Sequence, residues 1–244
     1  MRTKNLFDPK SNQPFTLSRS RFDRFLNCPR CFYIDRRLGV EPPSGPPFTI
    51  NSAVDHLLKK EFDHFRLLGE PHPYIQEAGI DAIPFADPRL DQWRENFKGV
   101  RILHDETGFE LTGAVDDIWI DRKTSELIIV DYKATAKDGE VTLDADWQIG
   151  YKRQMEFYQW LMRKKGFQVS NTGYFVYCNG DRSSENFSEV IKFKVKLIPY
   201  VGDDSWIEPE LIRARRCLEQ TVPPEPVDDC KQCSYLHDIK SLGI

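Results

Sequence analysis

The stretch that most constrains this chain is Leu-Ile-Ile-Val-Asp-Tyr-Lys at 127–133. It places a carboxylate and an ammonium at the end of a run of branched apolar side chains. Such a run reads as a buried central strand. Alternate residues on a strand share a face. Leu127, Ile129, Asp131 and Lys133 therefore point one way, and Ile128, Val130 and Tyr132 the other. Burying either charge alone is costly, so the pattern predicts that each is paired or holds a metal. The preceding segment, 109–121, reads as a strand joined to this one by a turn near 122–125. It carries Asp116, fifteen residues before Asp131, and a hairpin of that length can bring the two carboxylates together.

The rest of the chain alternates between helical and extended periods. Ser18 reads as the N-cap of a helix, with Leu17 and Phe22 spaced as a hydrophobic staple. That helix runs into Cys28-Pro29-Arg30-Cys31, then Phe32-Tyr33. Glu41 to Pro47 reads as a rigid, non-helical connection. Residues 52–69 predict an amphipathic helix with Val54, Leu57, Leu58, Phe62, Phe65 and Leu68 on one stripe. At about 100° per residue, Asp55 falls at the edge of that stripe and His56 nearly opposite. Residues 70–97 are irregular and proline-punctuated, with Trp93 and Phe97 expected as packing anchors. Strands are predicted over 98–104, 109–121 and 126–135.

The next helix is predicted over 146–166, with Trp147, Tyr151, Met155, Tyr158, Leu161 and Met162 on its apolar stripe. Gln154 lies within that stripe, where a polar side chain needs partners. It is four residues from Tyr158 and therefore beside it on the helix surface. Residues 172–178 and 187–197 predict a hairpin around an Asn179-Gly180 turn. Lys192, Lys194 and Lys196 would share one face of its second strand, either touching nucleic acid or protecting an exposed edge. A last helix is expected over 205–219, and 221–229 reads as an extended link. The alternation of helical and extended segments places the chain in the α/β class.

Cys28/Cys31 and Cys230/Cys233 form two C-x-x-C pairs about 200 residues apart, a spacing that signals a shared metal. Such a site would tie the first helix to the C-terminal segment like a clasp. Cys178 and Cys217 stand alone and are expected as small buried hydrophobes. With 244 residues, the chain is long enough for one large domain or two small ones.

The formal net charge of −4 argues against nonspecific coating of nucleic acid. Residues 1–40 nevertheless hold nine Arg or Lys against three Asp. That end can supply a phosphate-facing surface or an ordinary solvated helix face. No apolar run approaches the roughly 18 residues that span a membrane. The N-terminus, MRTKNLFDPKSNQPF, lacks the apolar core of a secretion signal. A cytoplasmic protein without membrane contact is expected.

GAVDDI around Asp116 and VDYKA around Asp131 and Lys133 resemble the two core motifs of the PD-(D/E)XK nuclease superfamily, and within it the RecB-type nucleases. Q-x-x-x-Y at Gln154 and Tyr158 resembles the third RecB-type motif, and CPRCFY resembles an N-terminal signature of that group with a cysteine added. The order helix, three strands, helix, strand matches the superfamily's restriction-endonuclease-like αβββαβ core, which implies a mixed sheet. The resemblance implies one nuclease domain over 1–244. Its cysteine-bearing flanks, 17–40 and 221–236, would clasp a 50–220 core.

It also implies that Asp116 and Asp131, with the Tyr132 carbonyl, hold Mg²⁺ or Mn²⁺. Lys133 would position or activate water, and Gln154 and Tyr158 would support the site. Asp55 stands where RecB-type enzymes place a metal-binding histidine. The cysteines would carry a 4Fe–4S cluster, as in AddB-like enzymes and the CRISPR-associated spacer-acquisition nuclease, or a tetrahedral zinc. The implied function is a metal-dependent DNA nuclease, exonuclease-like on single strands or ends, in repair, recombination or spacer acquisition. A helicase partner is compatible with it. The alternative is a non-catalytic DNA-binding or scaffold module of a larger complex.

Overall fold

The computed structural model describes residues 5–43, 45, 49–186 and 188–243. Arg2 and Lys4 of the basic segment, Ser44, Pro46 and Pro47 of the proline-rich connection, and Phe187 lie outside them. In chain order the elements are β1 (Phe15–Ser18), α1 (Arg19–Asn27), α2 (Pro29–Arg36), α3 (Thr49–Leu68), α4 (Pro73–Glu77), β2 (Ala82–Pro84), α5 (Leu90–Arg94), β3 (Val100–His104), β4 (Phe109–Gly113), β5 (Asp117–Asp121), β6 (Leu127–Thr135), α6 (Ile149–Lys164), β7 (Thr172–Gly180), β8 (Phe193–Val201), α7 (Ile207–Glu219) and α8 (Lys231–Ser241). A 3₁₀ turn, Asp146–Gln148, leads into α6. The chain divides into two compact units, 1–46 with 101–112 and 205–244, and 47–100 with 113–204.

The first unit holds the sheet β1-β4-β3, with β1 parallel to β4, and the helices α1, α2, α7 and α8. Its core is aromatic and aliphatic: Leu17, Phe22, Phe25, Phe32, Phe109 and Leu111 are buried. Asp35 is fully buried, and Arg21, Arg24 and Arg36 all bond its carboxylate. Those three arginines, read from the sequence as a possible phosphate-facing surface, are engaged in balancing an internal charge.

The second unit carries a mixed sheet in the order β2-β5-β6-β7-β8. β6 and β7 are parallel and the other pairs antiparallel. Strand β6 is central, as its β-branched run requires. Its two faces follow the alternation. Ile128, Val130 and Tyr132 pack with Leu58 and Phe62 of α3 and with Trp119, while Lys133 meets α6 through Gln154.

The predicted strand over 109–121 is in fact two strands in different sheets, and 98–104 does not belong to the sheet of β6. The chain leaves β4 after Gly113, where a Cβ would stand 2.6 Å from the Tyr158 ring. Only glycine lets the backbone pass there.

The predicted turn at Asn179-Gly180 lies inside β7, paired to β8 through Asn179↔Lys194 and Gly180↔Phe193. Asn179 instead ties down the loop after β6 by bonding both the amide and the carbonyl of Lys137. β8 is an edge strand starting at Phe193, so Lys192 precedes it. Exposed Lys194 and Lys196 line that edge and pair with Asp181 and Glu140, which fits edge protection. Leu57 at 60%, Leu68 at 53%, Phe97 at 70% and Trp147 at 65% exposure are not core residues as predicted. Trp93, Cys178 and Cys217 are buried.

His72 sits buried beneath α3, stacked on Phe62 at 4.1 Å. Its Nδ1 accepts from the Tyr74 amide, so Nε2 carries the proton and donates to Glu61. Burial pushes its pKa down, against the pull of Glu61. The unfolded chain therefore takes up a proton near the ordinary value of about 6.5 while the folded chain resists it, so stability falls as pH drops below that value. His72→Asn keeps the acceptor for Tyr74 and removes the titration. Urea midpoints measured between pH 7.5 and 5 are expected to fall less steeply for this variant than for the parent chain.

Candidate active site and cysteine cluster

The candidate site forms where the β5–β6 ladder ends. The last pair is Asp117↔Val130. Beyond it Asp116 leaves the strand, and its carboxylate accepts the Tyr132 amide at 2.9 Å in place of a ladder partner. Amide and carbonyl of one residue face the same edge in an antiparallel ladder. The Tyr132 carbonyl therefore faces the Asp116 side as well.

The adjacent Asp117 points to the opposite face, as alternation demands. It is fully buried and bonded by Arg66, by Arg94 at 2.7 Å and by the Tyr132 hydroxyl at 2.8 Å. Alternation thus separates a partly exposed carboxylate, Asp116, from one already saturated by two arginines.

Asp131 is fully buried and ion-paired with Lys133, the partnership its position requires. The Lys133 ammonium also lies 3.5 Å from Gln154 Oε1 and 4.5 Å from the centre of the Tyr151 ring. Burial alone would lower its pKa, but the Asp131 and Asp116 carboxylates outweigh this and hold it above the ordinary lysine value. Lys133 is thus a fixed cation. Gln154 in turn donates to the Tyr158 hydroxyl at 3.4 Å. Tyr158 is buried, packed against Gly113, and supports Gln154 rather than facing solvent.

Asp55 is bonded by Lys59 at 2.8 Å, one turn along α3, and Lys59 reaches Asp116 at 3.7 Å. Burial and, to a lesser degree, the Asp116 charge raise the Asp55 pKa, while Lys59 opposes them. His56 is exposed. A pocket of about 290 Å³ opens here, lined by Asn51, Val54, Asp55, Tyr132, Lys133, Ala134 and Tyr151. Asp116 and Asp131 are not in its lining and connect to it through Tyr132 and Lys133.

Asp55, Asp116, Asp131, Lys133, Gln154 and Tyr158 thus form one bonded neighbourhood. The carboxylates do not form a closed cage: Lys59 bridges two of them and Lys133 covers the third. Oxygen donors of this kind suit a hard divalent cation, and two ammoniums now balance their charge. Sequence reasoning missed Lys59 and the contact of Tyr151 with Lys133. The available signals were the four-residue spacing from Asp55 and the position of Tyr151 one turn before Gln154.

In the first unit the four cysteine sulfurs lie within 4.8 Å of one another. Cys31 is 3.5 Å from both Cys230 and Cys233, and Cys28 is 3.8 Å from Cys233. Cys28 and Cys230 are the N-caps of α2 and α8, and Cys31 and Cys233 lie in the first turns. Both helix N-termini therefore favour thiolate. Burial raises the Cys28 pKa, but the Cys31 and Val227 amides and neighbouring thiols bring it down to about 7. Burial and crowding push Cys233 up to about 11. Four sulfurs this close form a donor set that fits a metal ion.

A model of the PD-(D/E)XK nuclease superfamily matches residues 16–237. The chain belongs to the PD-(D/E)XK nuclease superfamily. Membership implies a phosphodiester hydrolase, an activity that usually uses divalent metals. No curated protein matches the chain. One matching solved structure, described as "Crystal structure of SSO0001", is 14% identical over 94% of this chain and 87% of that chain, with a TM-score of 0.39. An overlap of that degree carries no structural argument. No helix among the described residues is long and apolar enough to cross a membrane.

Charge pairing between Asp131 and Lys133 sets the local stability at this end of β6. Lys133→Met leaves the buried Asp131 carboxylate without its ammonium and is expected to cost about 3–5 kcal/mol. The Asp131→Asn/Lys133→Met double variant should recover most of that loss. Chemical denaturation of the four-member cycle checks both expectations.

Proposed function

We propose that this superfamily member is a metal-dependent DNA nuclease acting on single strands or free ends. The observation that carries the reading is the convergence of Asp116, Asp131, Lys133 and Gln154 where β6 leaves its ladder with β5, beside a pocket reached by Asp55. Asp116 and Asp131, with Asp55 and the Tyr132 carbonyl, would hold Mg²⁺ or Mn²⁺. A divalent ion there supplies Lewis-acid stabilisation of phosphoryl oxygens and a lowered water pKa. The chain's own contribution is preorganised charge. Tyr132 aims the Asp116 carboxylate. Lys133, held protonated by two carboxylates, can fix the attacking water or balance charge gathering on the phosphate. Gln154, braced by Tyr158, limits the motion of Lys133. Water adds to phosphorus, the P–O bond to the leaving nucleotide breaks, and the leaving oxygen takes up a proton.

For the cysteines we propose a single tetrahedral ion, zinc. With Zn–S bonds of about 2.3 Å, the edge of a tetrahedron is about 3.8 Å; three of the six sulfur pairs lie at 3.5–3.8 Å and all lie within 4.8 Å. A four-iron cluster, in which each thiolate takes its own iron, needs wider spacing. Elemental analysis of the purified chain is expected to give about one zinc; about four irons with broad visible absorbance would reverse this assignment.

Labelled single-stranded and blunt duplex oligonucleotides with Mg²⁺ or Mn²⁺ test the activity. The wild-type chain is expected to cleave, and Asp116→Asn to lose at least about a hundredfold in rate while still binding. A metal-loaded chain that binds DNA and never cuts it would instead be a binding module of a larger assembly.

A further inference from the structure

Trp147 stands out among the five tryptophans of the chain. Trp93, Trp119 and Trp160 are buried and Trp206 is half-buried, while Trp147 is 65% exposed. A single exposed aromatic is ordinary by itself. Two further observations make this one different.

The first is its support. Trp147 lies in the 3₁₀ turn before α6, and the buried Gln148 locks that turn. The Gln148 side chain accepts from the Ala145 amide at 3.0 Å and donates to the Thr142 carbonyl at 2.7 Å. The indole is thus presented on a fixed backbone.

The second is its place. The Trp147 ring meets Tyr151 edge-to-face at 5.4 Å and 80°. Tyr151 lines the candidate pocket and holds the Lys133 ammonium against its face at 4.5 Å. Laid end to end, those two distances put the indole no more than about 10 Å from the ammonium, within reach of a nucleotide or two. Gly150, in the first turn of α6, has open space where a side chain would stand, leaving room for a planar group. Exposed Asp144 and Asp146 beside the indole disfavour phosphate, so this corner offers an aromatic face rather than a backbone grip.

We propose that Trp147, backed by Tyr151, is a stacking platform for a base near the scissile phosphate, and that it directs the site toward single strands. Bases of a duplex are stacked on their neighbours and unavailable, whereas those of a single strand can splay onto an aromatic face. The proposal rests on the nuclease reading above and adds a specificity residue to it. Trp147 touches no reacting atom.

The test uses the full chain with Trp147→Ala and Trp147→Phe. Because the indole is exposed, thermal unfolding should be unchanged in both. For single-stranded oligonucleotides, KM of Trp147→Ala is expected to rise about five- to a hundredfold, the range of one lost base stack. Its kcat should stay within about twofold, and Trp147→Phe should restore most of the loss. Substrates with one abasic position stepped along the strand should reproduce the penalty at one position for the wild type and show none for Trp147→Ala. Tryptophan emission in the Asp116→Asn background should change on adding a single strand and lose that response with Trp147→Ala.

Wild-type KM on single strands after Trp147→Ala, with cleavage intact, overturns the stacking proposal and leaves the nuclease reading standing. A wild-type chain that neither cleaves nor alters its emission with oligonucleotide overturns both.

Discussion

A buried carboxylate beside a buried ammonium, at the end of an otherwise apolar strand, is the interaction on which the candidate site depends. Asp131 is fully enclosed and Lys133 nearly so. Neither charge is tolerable there alone. Pairing fixes the Lys133 side chain, Gln154 and the Tyr151 ring hold its other sides, and Tyr158 braces Gln154 from within the core. Asp116 joins because the ladder runs out: the Tyr132 amide has no strand partner and takes a carboxylate instead. The site is thus a consequence of where β5 begins. Side chains held this way need little reorganisation when a ligand arrives.

The cysteine cluster follows from a different constraint. Two helices, α2 and α8, each begin with a C-x-x-C turn, and their N-termini converge on four sulfurs within 4.8 Å. Helix dipoles favour thiolate at both turns, and four sulfurs gathered there can share one metal ion. Segments about 200 residues apart in sequence are thereby held together in one unit.

Much of this was legible in the sequence where a short period and a strong energetic rule coincide. The alternation along 127–133 correctly assigned both faces of β6 and the need for a partner at Asp131, because burial on both faces leaves no other reading. The C-x-x-C spacing foretold the sulfur cluster. Other features depend on contacts distant in sequence. Gly113, where β4 ends, is needed because a side chain there would meet the Tyr158 ring, which no local pattern reveals. Asn179-Gly180 has the composition of a turn, yet pairing with β8 keeps it extended and the Asn179 side chain serves another loop. Helical periodicity put Trp147 with the core stripe, but it precedes α6 in a 3₁₀ turn, where that periodicity does not apply. β1 is four residues long, too short to carry a pattern.

The most direct test of the account is where a divalent cation binds the second unit. Crystals of the full chain soaked in Mn²⁺ and measured at the manganese absorption edge would locate it by anomalous scattering. The account predicts a manganese peak at ligand distance from the Asp116 and Asp131 carboxylates, with Lys133 beside it. A map with no manganese at that end of the sheet, and with Lys59 and Lys133 still holding the carboxylates, would contradict it.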